Sequence, residues 1–217
     1  MTFLERAIRN WQLGWNSNKE SSLDTLAPSG PVAFNSTALP RPAYIRTIMD
    51  TGPNRALDTR DPLQIAQALR GGPIVKRTPK LTRAILHCAH TLSLPIKVGI
   101  RLVARTQMFI WSIQHSITTL ECAFLLSKWL QALDMPDPDP PVSEDEKRML
   151  SLLRTMLAET EFALPTEMST DSPRMNKHLN AGILRVWATI FKGGQTWAVV
   201  DVVGSALDSY ADLLERA

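Results

Sequence analysis

The sequence predicts an all-α fold: a single multi-helix domain, without sheet, around a long central helix at about residues 95–133. Three observations carry that prediction. The segment from Ile100 to Leu133 holds no proline or glycine. Its apolar residues recur at three- and four-residue steps: Phe109, Ile113, Ile117, Leu120 and Phe124, then Leu126, Trp129, Leu130 and Leu133. Helix-start signals recur elsewhere, at Asp61-Pro62, at Thr78-Pro79, and at Ser143 with Glu146. No segment reads as a strand, and no internal repeat is visible.

The elements follow in order. Residues 2–15 place Phe3, Leu4, Ile8, Trp11 and Trp15 near one helical face. The turn-rich stretch after them, with Pro28, Gly30 and Pro31, makes a loop near 16–38. Leu39 to Asp50 reads as a brief helix interrupted early by Pro40 and Pro42. Asp61 caps a helix with proline at its first position, and Gly71-Gly72-Pro73 closes it. Thr78-Pro79 opens the helix LTRAILHCAHTLSL, and Pro95 begins the central spine, with a kink expected near Gly99. An acidic, proline-rich loop at 134–142 ends the spine. Ser143 and Glu146 then form a capping box for KRMLSLLRTMLAETEF. A further loop near 164–172 leads to Pro173 and RMNKHLNAGILRVWATIF; Gly193-Gly194 breaks that helix before the last one.

The formal charge of +3 conceals an asymmetry. Residues 1–110 carry 15 Lys+Arg against 6 Asp+Glu, and residues 111–217 carry 9 against 15, hence +9 and −6. Two oppositely charged surfaces of one fold account for this, and the basic residues are too scattered to define a face for an acidic partner. The two cysteines, Cys88 and Cys122, fall inside predicted helices and supply neither a disulfide framework nor a structural zinc set. They suit a reducing, intracellular compartment. MTFLERAIRNWQLGW has an acid at Glu5 and no long apolar core, unlike a signal peptide, and WAVVDVVGSAL is too short to span a bilayer. No membrane association is expected.

The residues able to do chemistry do not converge. His87 and His90 share a helical face, as two metal ligands could, but the remaining ligands would have to come from Cys122 or His115, and Cys88 points away. Packing of small residues in a helix interface explains them better. Gly204-Ser205 lies in a helical pattern and lacks the strained elbow of a serine nucleophile. His115, Glu121 and Cys122 share one helix, and Glu159 and Glu161 face different directions. An enzyme is not expected. Lys76, Arg77, Lys80 and Arg83 make a basic cluster that could touch phosphates or serve as an import signal; solvation at a helix start is the plainer reading. Trp111, Trp129, Trp187 and Trp197 lie on helical stripes and read as core, with room for an aromatic-lined pocket.

Several phrases resemble the C-terminal part of the regulatory domain of fungal zinc-finger transcription factors, the fungal-specific or middle-homology domain. They are SSLDTLAPSGPVAFNSTAL (21–39), AYIRTIMDTGPNRALDTRDP (43–62), VARTQMFIWSIQHSITTLECAFLLSKWL (103–130) and RVWATIFKGGQTWAVVDVVGSALDSYADLLE (185–215). The chain departs from the family in having neither a C2H2 pattern nor a six-cysteine cluster, and in placing the proline-rich LPRP at 39–42 where such domains continue a helix. The resemblance therefore implies a partial regulatory domain over 1–217, in the nucleus, whose zinc belongs to a missing upstream DNA-binding module. No cofactor is expected in the chain itself.

That resemblance implies a regulatory, protein-interaction domain controlling RNA polymerase II transcription. Its partners would be the transcription machinery or co-regulator proteins, with a small-molecule effector as a further candidate and DNA reached only through the missing module. The alternative is a free-standing helical adaptor with no DNA-binding role. A sensor cleft would lie between the spine and its neighbours. Its candidate residues are Arg105, Gln107, Gln114 and His115, polar groups on an apolar helix that need internal partners or a ligand if buried.

Overall fold

The computed structural model describes residues 2–22, 35–36, 38–50, 52, 57–106, 112–135, 140–164, 173–193 and 197–216. Among the described residues the fold is all-α, without a strand, and its principal elements are nine helices. They are α1 (Phe3–Asn16), α2 (Pro40–Arg46), α3 (Pro62–Gly71), α4 (Pro79–Val98), α5 (Ile100–Thr106), α6 (Ile113–Leu133), α7 (Glu144–Ala158), α8 (Pro173–Phe191) and α9 (Ala198–Glu215).

The start signals work as local chemistry predicts. Asp61 Oδ1 accepts from the Leu63 amide at 2.9 Å, and Thr78 Oγ1 accepts from the Leu81 amide at 3.3 Å. Ser143 and Glu146 form the expected reciprocal cap, and Thr2 with Glu5 forms a second one on α1. The prolines of LPRP do not interrupt α2. Pro40 opens it, in the first turn, where a backbone N–H has no intrahelical partner to lose.

The single central helix expected at 95–133 is divided. Pro95 lies inside α4, which continues to Val98. Gly99 then takes φ +106°, a conformation that breaks the helix and that residues with a Cβ rarely adopt. Past α5, Ser112 is extended at φ −78° and ψ 164° before α6 begins. The pieces are also enclosed to different extents. α5 lies on α8, whereas α6 is enclosed by α2, α4, α8 and α9. Met108 to Trp111, including Phe109 of the expected stripe, lie outside the described residues.

α6 is the centre of the molecule. Seventeen of its 21 residues are buried, as its broad apolar distribution demands, with Trp129 among the largest enclosed side chains. Its Lys128 is fully buried; Nζ donates to the Arg70 carbonyl at the end of α3 at 2.8 Å and lies 5.5 Å from the Phe124 ring centre. Desolvation pulls its ammonium down to about 8. α8 and α9 form the most extensive helix pair, and α9 also packs on α3. Gly193, just past α8, lies so close to Ala104 of α5 that a Cβ there would collide with its backbone.

A buried polar knot joins α4 to α7. Arg77 Nη2 donates to Glu146 Oε2 at 2.6 Å, and its Nε donates to Oε1 at 2.9 Å. The same guanidinium donates to the Pro140 and Pro141 carbonyls, and Trp129 Nε1 reaches Glu146 Oε1 at 3.4 Å. Both charged side chains are less than a tenth exposed, at 4% and 7%. Burial alone would push the Glu146 carboxyl up; hydrogen bonds from Arg77 and from Ser143 reverse this and hold it at about 2.

Candidate functional site

A concavity lies where α1 crosses the platform made by α2 and the first half of α4. It has a volume of about 950 Å³ and follows α1 from Glu5 to Asn16, then Ser21 and Ser22. Its floor is firmly held. Arg46 Nε of α2 pairs with the buried Glu121 of α6 at 3.0 Å, and Thr118 Oγ1 of α6 donates to the Ala38 carbonyl at 3.3 Å. Ile45 is buried beneath. Its wall is lightly held, because α1 buries no residue of its own. One ion pair, Lys80 Nζ to Glu5 Oε1 at 2.8 Å, links that wall to the first turn of α4.

The lining combines cations with aromatic rings. Arg9 of α1, Arg41 of α2, and Lys80 and Arg83 of α4 face it, with Glu5 as its carboxylate. Arg9, Arg41 and Arg83 form no ion pair among the described residues. Trp11 and Trp15 stack on each other along α1, centroids 6.0 Å apart and planes 8° from parallel. Tyr44 meets His87 edge to face at 5.9 Å. The imidazole of His87 is pushed below its usual range by burial, and further by Arg41, Arg83 and His90. The guanidinium groups of Arg41 and Arg83 make the surroundings of His87 electropositive. The Lys80 ammonium and the Thr2 amide correspondingly hold the Glu5 carboxyl low.

The residues singled out in the sequence distribute differently. Arg105 is exposed near the end of α5, Gln114 is exposed in the first turn of α6, and His115 beside it is buried at 8% exposure. None of these three lines the groove, and Gln107 lies outside the described residues. His87 and His90 do line it, together with the aromatic face of α1. Cys88 is turned inward and buried near Cys122, where desolvation and then that second thiol push its thiol well up, into an unreactive state. Among the described residues no three His, Cys, Asp or Glu side chains converge as metal ligands. The basic cluster at 76–83 is split: Arg77 is sealed in the Glu146 knot, while Lys80 and Arg83 reach the groove. Sequence reasoning missed Arg9 and Arg41. Their only signal was the excess of positive charge over residues 1–110.

A family model described as the fungal transcription factor C-terminal domain matches residues 50–209. The chain belongs to this family. The match covers most of the 217 residues and takes in the helices α3 to α8 and much of α9. The phrase at 21–39 lies outside it, as do α1 and α2. The groove is therefore built where the C-terminal domain, through α4, meets the two helices that precede it. No curated protein matches the chain, and no solved structure does. Membership makes this a transcription-factor domain from a fungal family, with a role in regulating transcription. Among the described residues no helix is long and apolar enough to cross a membrane.

Proposed function

We propose that this chain is the regulatory, protein-interaction part of a fungal transcription factor and acts on RNA polymerase II transcription in the nucleus. It does so by docking co-regulators or components of the transcription machinery. DNA is reached only through a separate zinc-binding module, since Cys88 and Cys122 lack the close spacing of a two-cysteine finger and are too few for a six-cysteine cluster. The observation that supports the reading is the groove seated on the family's own helix α4: a firmly supported floor, a lightly held helical wall, and side chains suited to recognition. Recognition surfaces concentrate arginine and aromatic residues in this way. The Arg105, Gln107, Gln114 and His115 set remains a separate proposal for a small effector, to be tested by substitution.

The test is a reporter assay with the chain fused to a heterologous DNA-binding module. Reporter output is expected to change relative to the module alone, and a fluorescent fusion is expected in the nucleus. A folded, nuclear fusion that leaves the reporter at the level of the module alone would refute the reading.

A further inference from the structure

We propose that the groove between α1 and the α2–α4 platform takes an acidic peptide segment of a partner protein, one that also carries aromatic or aliphatic side chains. This rests on the regulatory reading above and names the chemistry of the partner. Arg9, Arg41 and Arg83 come from three separate helices and form no ion pair among the described residues, the groove's one carboxylate, Glu5, being paired with Lys80. Arg41 and Arg83 both act on the His87 imidazole and Arg9 lines the same trough, so the trough is electropositive and complements an anionic segment. Forked donors recognise carboxylates by paired hydrogen bonds.

Shape selects a peptide over a small anion. The groove follows α1 from Glu5 to Asn16, about 16 Å at the helical rise, which accommodates about five extended residues. A small dianion would occupy one or two guanidinium groups and leave the trough largely empty. The aromatic side of the trough, Trp11, Trp15 and Tyr44, supplies apolar contact between the charges. A nucleic-acid strand fits less well. Bases stack best between separate aromatic faces, and the mutual stacking of Trp11 and Trp15 takes up one face of each ring.

The experiment uses the full chain and a fluorescein-labelled synthetic peptide in which aspartate alternates with phenylalanine and leucine, read by anisotropy. Saturable binding that weakens with salt is expected. The same peptide with asparagine for aspartate should bind about tenfold more weakly or worse, as should the peptide to an Arg41→Glu/Arg83→Glu chain. Arg148→Glu, on α7 away from the groove, should leave binding unchanged. Circular dichroism checks that each variant is folded; if the double variant is not, Arg9→Glu on exposed α1 replaces it, with at least threefold weakening expected, about the loss of one exposed charge contact. Absence of binding, equal binding of the asparagine peptide, or unchanged binding by the groove variants overturns the proposal. Tighter binding of a single-stranded oligothymidylate also does, and makes the groove a nucleic-acid surface. The reporter fusion separates the two readings. An effect that survives Arg41→Glu/Arg83→Glu overturns the groove alone, whereas peptide binding without any reporter effect overturns the regulatory reading alone.

Discussion

Replacing Glu146 by glutamine removes one charge from the α4–α7 knot while keeping nearly the same shape. The carboxyl is held at about 2 in the folded protein against an ordinary 4.5, a gap of about 2.5 units. At about 1.4 kcal/mol per unit, that gap corresponds to about 3 kcal/mol of folding stability above pH 4.5. Because the folded value is depressed, this stability is fully present above the unfolded value and is lost as pH falls toward 2. Glutamine resembles the protonated carboxyl, so Glu146→Gln should cost about 3 kcal/mol near neutrality. Its penalty should shrink as acid protonates the wild-type carboxyl. The size agrees with the ~3–5 kcal/mol usual for removing one partner of a buried pair. Urea unfolding followed by tryptophan fluorescence at several pH values measures both quantities. Arg77→Met should cost as much or more, because it leaves the Glu146 charge buried without its guanidinium. The double change Arg77→Met/Glu146→Leu should recover much of the loss, since two apolar side chains replace two desolvated ions. A Glu146→Gln penalty below about 1 kcal/mol near neutrality, or one that persists undiminished in acid, would refute the argument.

Three further outcomes follow from the structure. Lys128, held down at about 8 against an ordinary 10.5, binds its proton more weakly when folded, so its contribution to stability should rise as pH climbs from 8 to 10.5. Lys128→Met should remove that rise, of up to about 3 kcal/mol, and a parallel pH profile for the two proteins would contradict it. Gly99→Ala should cost on the order of 1–3 kcal/mol in thermal or urea unfolding, because its φ of +106° is strained for any residue with a Cβ; a neutral result would mean that the chain between α4 and α5 relaxes freely. Gln114→Leu at an exposed position should change stability by less than about 0.5 kcal/mol, whereas His115→Phe in the buried layer should cost about 1–3 kcal/mol. Equal effects at the two positions would contradict their different burial.

Much of the helical layout was legible because its signals are local. A cap and its amide lie three residues apart, as at Thr78 and Leu81, and a proline in a first turn acts on its own backbone. The recurrence of apolar residues at three- and four-residue steps through 113–133 likewise announced a packed helix, and α6 buries most of its residues. The division of the spine was only half legible. Gly99 marked a kink, but nothing in the residues between Ile100 and Leu133 opposes a helix, and the extended backbone at Ser112 has no local signal.

The groove was the least legible feature. Arg9, Arg41 and Arg83 are far apart along the chain and share no motif, so residue order shows them only as scattered charge. Folding brings them together by crossing α1 over α2 and α4, and the same folding removes Arg77 from its basic neighbours by burying it against Glu146. The sequence by itself determined the all-α class, most helix limits and the family, because these depend on short-range periodicity, capping and residue order. Tertiary structure alone decided which charges meet carboxylates and which meet open space, because electrostatic partnership depends on distances that helix packing sets.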